Sequence, residues 1–138
     1  MSEPVQGSGS KADPWRLQTP SLTSGYEAWR DEAASPPLLV VQVGSTRLTY
    51  QLRAIEDLHA MLKARGDWVE LGNADEGKPV KDGSIEAWAR ADDNPVAGYY
   101  GTRKGYRGRF ANYVTPVLEH LGLVELEHGP RGNRARVR

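Results

Sequence analysis

The pattern of apolar and polar positions changes period several times along these 138 residues. Leu38–Val43 ("LLVVQV") is apolar and β-branched apart from Gln42. Gly44-Ser45 follows, and then Leu48, Tyr50 and Leu52 alternate with Arg47, Thr49 and Gln51. Two such runs joined by a Gly-X pair predict a β-hairpin with a type II′ turn. From Ala54 the spacing becomes helical, with Ile55, Leu58 and Leu62 as the stripe, Ala54 and Met61 beside it, and Gly66 as the terminating residue. Trp68–Leu71 predicts a short strand, and the polar stretch 72–83 a surface loop. Ser84 is placed to cap a second helix whose apolar stripe is Ile85, Trp88 and Ala89. Glu86 falls in its first turn, where a carboxylate favours that helix's own dipole. Asp92-Asp93-Asn94-Pro95 stops it. Phe110, Tyr113, Val114, Val117, Leu118 and Leu121 predict a third helix with a broad apolar face, ended by Gly122. Pro116 inside it predicts a kink, or a break with Thr115 capping the last turn. Leu123–His128 and Arg134–Val137, on either side of "GPRGN", predict a terminal hairpin.

The ends of the chain are less periodic. Residues 1–12 are Gly/Ser-rich and polar and predict a disordered tail, leaving 13–138 as a single α+β domain. Trp15, Tyr26 and Trp29 stand among Thr, Ser, Pro and Gly, so that stretch predicts irregular structure or short edge strands packed on the core. Pro36-Pro37 ends it. The four tryptophans are expected to be core anchors.

From about residue 54 the predicted order is helix, short strand, helix, helix and a two-stranded tip. With "VTPVLEHLGLVELEHGPRGNRARV" it resembles the C-terminal part of a winged-helix domain, in which a helix finishes in Leu-Gly-Leu-Val and a strand turns through a basic tip. The resemblance covers residues 54–138 and implies a winged-helix-like scaffold with the N-terminal hairpin packed on it. It departs from the pattern in one place: the linker over about 92–106 is longer than the 3–4-residue turn of a helix-turn-helix. From "DPW" onward the chain also resembles an uncharacterised family of small actinobacterial proteins, through "LRAIEDLH", "GDWVELG", "NPV" and "RKGYRGRF". That second resemblance implies no function.

Charge changes the picture. The formal net charge is zero, but residues 1–100 hold ten Lys and Arg against fifteen Asp and Glu (net −5), and residues 101–138 hold eight against three (net +5). Such asymmetry suggests a face directed at an anionic partner, or else a dipolar surface without one. Cysteine is absent, which excludes disulfides, thiolate metal sites and cysteine nucleophiles and fits a reducing cytosol. No apolar run approaches the roughly 18 residues of a membrane helix, and the N-terminus lacks an apolar signal core. The expected location is cytoplasmic.

The densest candidate chemistry is "RKGYRGRF", residues 103–110. Arg103, Lys104, Arg107 and Arg109 are phosphate donors, Gly105 and Gly108 allow close backbone approach, and amides at a helix start add a positive dipole. Tyr106, with Tyr99 and Tyr100 before it, can stack on bases. Alternatively, the tyrosines anchor the loop to the core and the arginines bond Asp92-Asp93 or Asp75-Glu76. The terminal hairpin carries Arg131, Arg134, Arg136 and Arg138. The last three share one face and can follow a phosphate strand, or else Arg134 and Arg136 pair with Glu125 and Glu127 and leave only the tip residue Arg131. His59, His120 and His128 form no metal-binding spacing, and neither a G-x-S-x-G elbow nor a phosphate-binding G-x-x-x-x-G-K-[ST] occurs. No catalytic residue, metal or cofactor is assigned. The pattern points to a nucleic-acid-binding protein, with double-stranded DNA as the first expectation. A protein-interaction module on the same scaffold is the alternative, and a small enzyme or small-ligand binder comes third.

Overall fold

The computed structural model describes residues 7–75, 78–102 and 109–138. Four strands, β1 (Trp15–Gln18), β2 (Gly25–Asp31), β3 (Leu38–Val43) and β4 (Thr46–Gln51), form an antiparallel meander in sheet order β1-β2-β3-β4. The β3–β4 hairpin is the one expected. Val43 pairs with Thr46 across it, and Gly44 takes a φ of 57° while Ser45 stays out of the left-handed region, as a type II′ turn requires. The Trp15–Trp29 stretch is more regular than its composition predicts. β2 is an inner strand paired on both sides. Its alternation is hidden because both faces are covered: Tyr26 and Ala28 enter the core, while Trp29 is buried on the other face under the Arg47 guanidinium, 5.2 Å from its ring. Residues 8–12, expected in a disordered tail, form a turn closed by Asp13, and the Arg30 amide donates to the Gly9 carbonyl.

Helix α1 (Ala54–Arg65) buries Ala54, Leu58 and Leu62 and ends at left-handed Gly66, whose amide donates to the Leu62 carbonyl. The two-residue strand β5 (Val69–Glu70) precedes α2 (Ile85–Arg90), where the Ser84 hydroxyl accepts from the Ala87 amide at 3.1 Å, the predicted cap. Helix α3 (Phe110–His120) runs through Pro116 without the break allowed for above. Burial of every residue from Phe110 to Leu118 holds it together, and Thr115 is an interior residue, not a cap. Strands β6 (Val124–Leu126) and β7 (Arg134–Val137) form the expected hairpin, and β5 adds to β7 to give a second antiparallel sheet in the order β5-β7-β6.

The protein is therefore mixed α/β, with a four-stranded antiparallel sheet, a three-stranded one and three helices. One cluster of buried residues links both sheets and all three helices. Helix α3 lies inside it. Phe110 packs against Tyr50, Trp88 and Tyr100, and Tyr113 meets Tyr26 edge-on with ring centroids 5.1 Å apart. The Tyr26 hydroxyl donates to the Tyr113 carbonyl at 2.8 Å. Among the described residues no helix is long and apolar enough to cross a membrane.

Gly72, just after β5, has a φ of 62°, and a Cβ there would stand 2.2 Å from Ser84 Oγ, the cap of α2. Gly72→Ala therefore combines a strained backbone with a collision. It is expected to cost about 2 kcal/mol of unfolding free energy, read by chemical denaturation. An unchanged midpoint would mean that the 72–83 loop yields at no cost.

Candidate nucleic-acid interface

The basic segment ends at the N-terminus of α3, and the surroundings of that terminus define its chemistry. Residue Arg109 occupies the cap position in the left-handed region (φ 67°) and offers no side-chain cap. The missing acceptor comes from α2 instead. The Glu86 side chain is fully buried, and its carboxylate accepts from the amides of Phe110 (3.2 Å) and Ala111 (2.9 Å) and from Arg90 Nε (3.3 Å). Glu86 thus serves the dipole of α3, not that of its own helix as its position predicts. The anion site that a helix start provides is already filled from within. Burial pushes the Glu86 carboxyl up, and the Ala111 amide, Arg90 and the Phe110 amide pull it back, leaving it at about 7 against an ordinary 4.5.

Arg90 extends the same network by donating to the carbonyls of Lys78 and Ala74. The Arg109 amide donates to the Ala74 carbonyl, and its Nε to Asp75 Oδ1 at 2.5 Å. Arg109 is thus paired with a loop carboxylate, one of the two alternatives its sequence allowed. Arg103, Lys104, Tyr106 and Arg107 lie outside the described residues. Tyr100, a stacking candidate, is instead a core anchor: it is fully buried, tilted against Trp88 and Phe110, and donates to Asp57 Oδ2 at 2.9 Å. Tyr99 packs edge-on against Tyr50.

On the β6–β7 hairpin the wing arginines divide. Val69, Leu126 and Ala135 turn one sheet face to the core, leaving the charged residues on the other. There Arg134 holds Glu127 through two hydrogen bonds (2.9 and 2.8 Å), and Arg136 holds its cross-strand neighbour Glu125 at 2.8 Å. Both guanidinium groups lie over the half-buried indole of Trp68, at 5.1 and 4.5 Å. Trp68 is thus the floor of a cation–π cluster and not a core anchor. Arg131 at the tip is exposed and makes no ion pair among the described residues. The tip is shaped by Asn133, whose side chain accepts from the Gly129 amide (2.7 Å) and donates to the Gly129 carbonyl (2.9 Å). His128 ties its base down, with Nδ1 2.9 Å from the Pro20 carbonyl and Nε2 2.6 Å from Glu119. Burial lowers the pKa of this imidazole, but those two acceptors outweigh it and hold it above its ordinary value.

A polar cavity of about 300 Å³ lies between the tip, the 70–73 segment, the β1–β2 loop and α3. Arg131 and Asn73 both line it, and Asn73 adjoins the Ala74–Asp75 pair that holds Arg109. The wing tip and the end of the basic segment therefore border one loop. Asn112 of α3 lines the same cavity. It is 9% exposed, and its carboxamide makes no hydrogen bond among the described residues. Glu86 was expected to serve only its own helix, and Asn112 carried no expected role. The available signal was a polar residue interrupting an apolar stretch, with Arg90 four residues after Glu86 and Phe110, Ala111, Tyr113 and Val114 around Asn112.

The chain belongs to a family of unknown function (DUF6855), whose family model matches residues 7–138. No curated protein and no solved structure matches it.

Glu86 makes stability depend on pH in a stated direction. Its folded value, about 7, lies above its ordinary 4.5, so in between the folded protein holds a proton that the unfolded chain has released. Its contribution is complete below about 4.5 and lost as pH rises to 7. Unfolding free energies measured from pH 5 to 8 are expected to fall less steeply in Glu86→Gln than in the wild type. Parallel curves would remove Glu86 as the source.

Proposed function

We propose that this member of a family of unknown function is a nucleic-acid-binding protein that holds phosphates through its wing, on a winged-helix-like scaffold. The observation that carries the proposal is Arg131, exposed at the β6–β7 tip without an ion pair among the described residues. It stands across the 72–75 loop from Arg109, in the part of the chain with net charge +5. The order α1-β5-α2-α3-β6-β7, with β5 beside β7, supports the winged-helix resemblance.

The mode of contact differs from groove reading by a recognition helix. Helix α3 is covered along Phe110–Leu118 and its first amides are occupied by Glu86, so it has no face to insert and no free helix start for a phosphate. Arg134 and Arg136, each held by a glutamate above Trp68, stiffen the wing that presents Arg131. By their chemistry Arg103, Lys104 and Arg107 are further phosphate donors and Tyr106 is a stacking residue. Contacts of this kind position a protein on a backbone without selecting a sequence, so double-stranded DNA of any sequence is the expected ligand.

A second reading, a protein-interaction module, draws on a different place. A cleft of about 410 Å³ is lined by Trp15, Pro36, Pro37, Leu52, Ile55 and Leu121, and Leu121 is 40% exposed. An apolar cleft with charged neighbours suits a peptide better than a phosphate backbone.

Salt titration separates the two. Each phosphate contact on duplex DNA contributes roughly 0.9 to the slope of log affinity against log salt. Arg131→Gln is expected to flatten that slope by about 0.9 for every duplex tested while leaving the melting temperature unchanged. An unchanged slope would remove the wing from the contact. No binding to duplex by the wild type at about 50 mM salt, where screening is weakest, would favour the interaction module.

A further inference from the structure

We infer that the cavity at the base of the wing binds a single nucleotide, its base edge on the Asn112 carboxamide and its phosphate on Arg131. This deepens the nucleic-acid reading proposed above and rests on it.

Asn112 is the starting point. It is the third of nine consecutive buried residues of α3, is itself 9% exposed, and its carboxamide makes no hydrogen bond among the described residues while lining a cavity. It is a polar residue in an otherwise largely apolar stretch of α3, and it lines the cavity. A carboxamide presents an acceptor and a two-proton donor side by side. Its complement is a flat edge with a donor next to an acceptor, as adenine offers at N6 and N7. The remaining walls suit a ring. Pro20, Pro130 and Leu71 supply apolar surface from three different segments. Asn133 also lines the cavity, but its amide is spent on Gly129 and only holds the tip in shape.

Charge sets the other half of the ligand. Arg131 borders the cavity with its guanidinium unpaired among the described residues, and a guanidinium binds a phosphate through two parallel hydrogen bonds. Glu70, the carboxylate in the lining, is held by Lys81 Nζ at 2.7 and 2.8 Å and so does not repel an anion as a free carboxylate would. A volume of about 300 Å³ is at the small end for ligand sites, the size of one nucleotide. A base inside a duplex would have to leave its stack to enter, so unpaired or terminal nucleotides are the natural ligands.

The experiment is an NMR titration of the full chain with adenosine monophosphate, with adenosine and inorganic phosphate as its separated halves. The nucleotide is expected to move the Asn112 side-chain NH₂ and the Arg131 Nε–H signals together. Adenosine should move only the first, and phosphate only the second. Asn112→Leu and Arg131→Gln should each weaken nucleotide binding about tenfold, and Arg131→Gln should leave adenosine binding unchanged. Should Asn112→Leu fail to fold, the wild-type shift pattern and the surface variant Arg131→Gln still decide. An unmoved Asn112 NH₂ overturns the inference, as does equal affinity for the nucleotide and for phosphate alone, which would leave only an anion contact. A peptide that moves Asn112 where the nucleotide does not would assign the cavity to a protein partner and overturn it too. If the nucleotide fails while Arg131→Gln still flattens the duplex salt slope, only the cavity assignment falls. If duplex and single strands are also not bound, the parent reading falls with it.

Discussion

The rest of the structure hangs on a carboxylate with no contact with water. Glu86 reaches from α2 to the first amides of α3, and Arg109, at the cap position with a left-handed backbone, gives them no side-chain cap. A helix start buried without acceptors is costly. A buried carboxylate without donors is costlier. Each offsets part of the other's penalty, and Arg90 adds a counter-charge. Because Arg90 also holds the carbonyls of Ala74 and Lys78, the same group fixes the loop that pairs with Arg109. Truncating one partner of such a set leaves an uncompensated buried charge, so α2, Ala74, Asp75, Lys78 and α3 are coupled through it.

That set also limits where an anion can bind. With Glu86 in place the amides of α3 are taken, and the helix itself is covered by the aromatic residues of the four-stranded sheet and by α1 and α2. Chemistry directed outward is displaced to the wing. There the carboxylates sort the cations. Glu125 and Glu127 lie across from Arg136 and Arg134, and Trp68 lies beneath both, so two of the four arginines of the hairpin are structural. Exposed pairs of this kind add little stability, about 0–1 kcal/mol each, but they fix side-chain positions. Of the remaining two arginines, Arg131 stands at the tip without an ion pair among the described residues and lines a cavity together with Asn112.

Local order was legible in the residues themselves. The β3–β4 hairpin, α1 with its Gly66 stop, the Ser84 cap and the terminal hairpin all follow from spacing and from residues with strong backbone preferences, such as Gly44 and Gly66. Those preferences act over a few residues, so a single chain displays them. Strand β2 was less legible because aromatic residues on both faces blur a period of two. Pro116 left a kink or a break open, and the burial of Phe110–Leu118 carries α3 through it without a break.

What only the tertiary structure decided is the partner of each polar group. A sequence places Glu86 four residues before Arg90 and a charged ladder around a turn, but it does not say that Glu86 faces α3, 24 residues away, or that Asp75 takes Arg109, 34 residues away. Nor does it say that Asn112 faces a cavity. Hydrophobic burial depends on residue type and period, and both are written locally. Ion pairs and hydrogen bonds depend on distances of about 3 Å between atoms that the chain brings together only after it folds. The sequence alone therefore determined which elements form and where the charge collects. Packing decided which of the charges are already spent, and so which remain for a ligand.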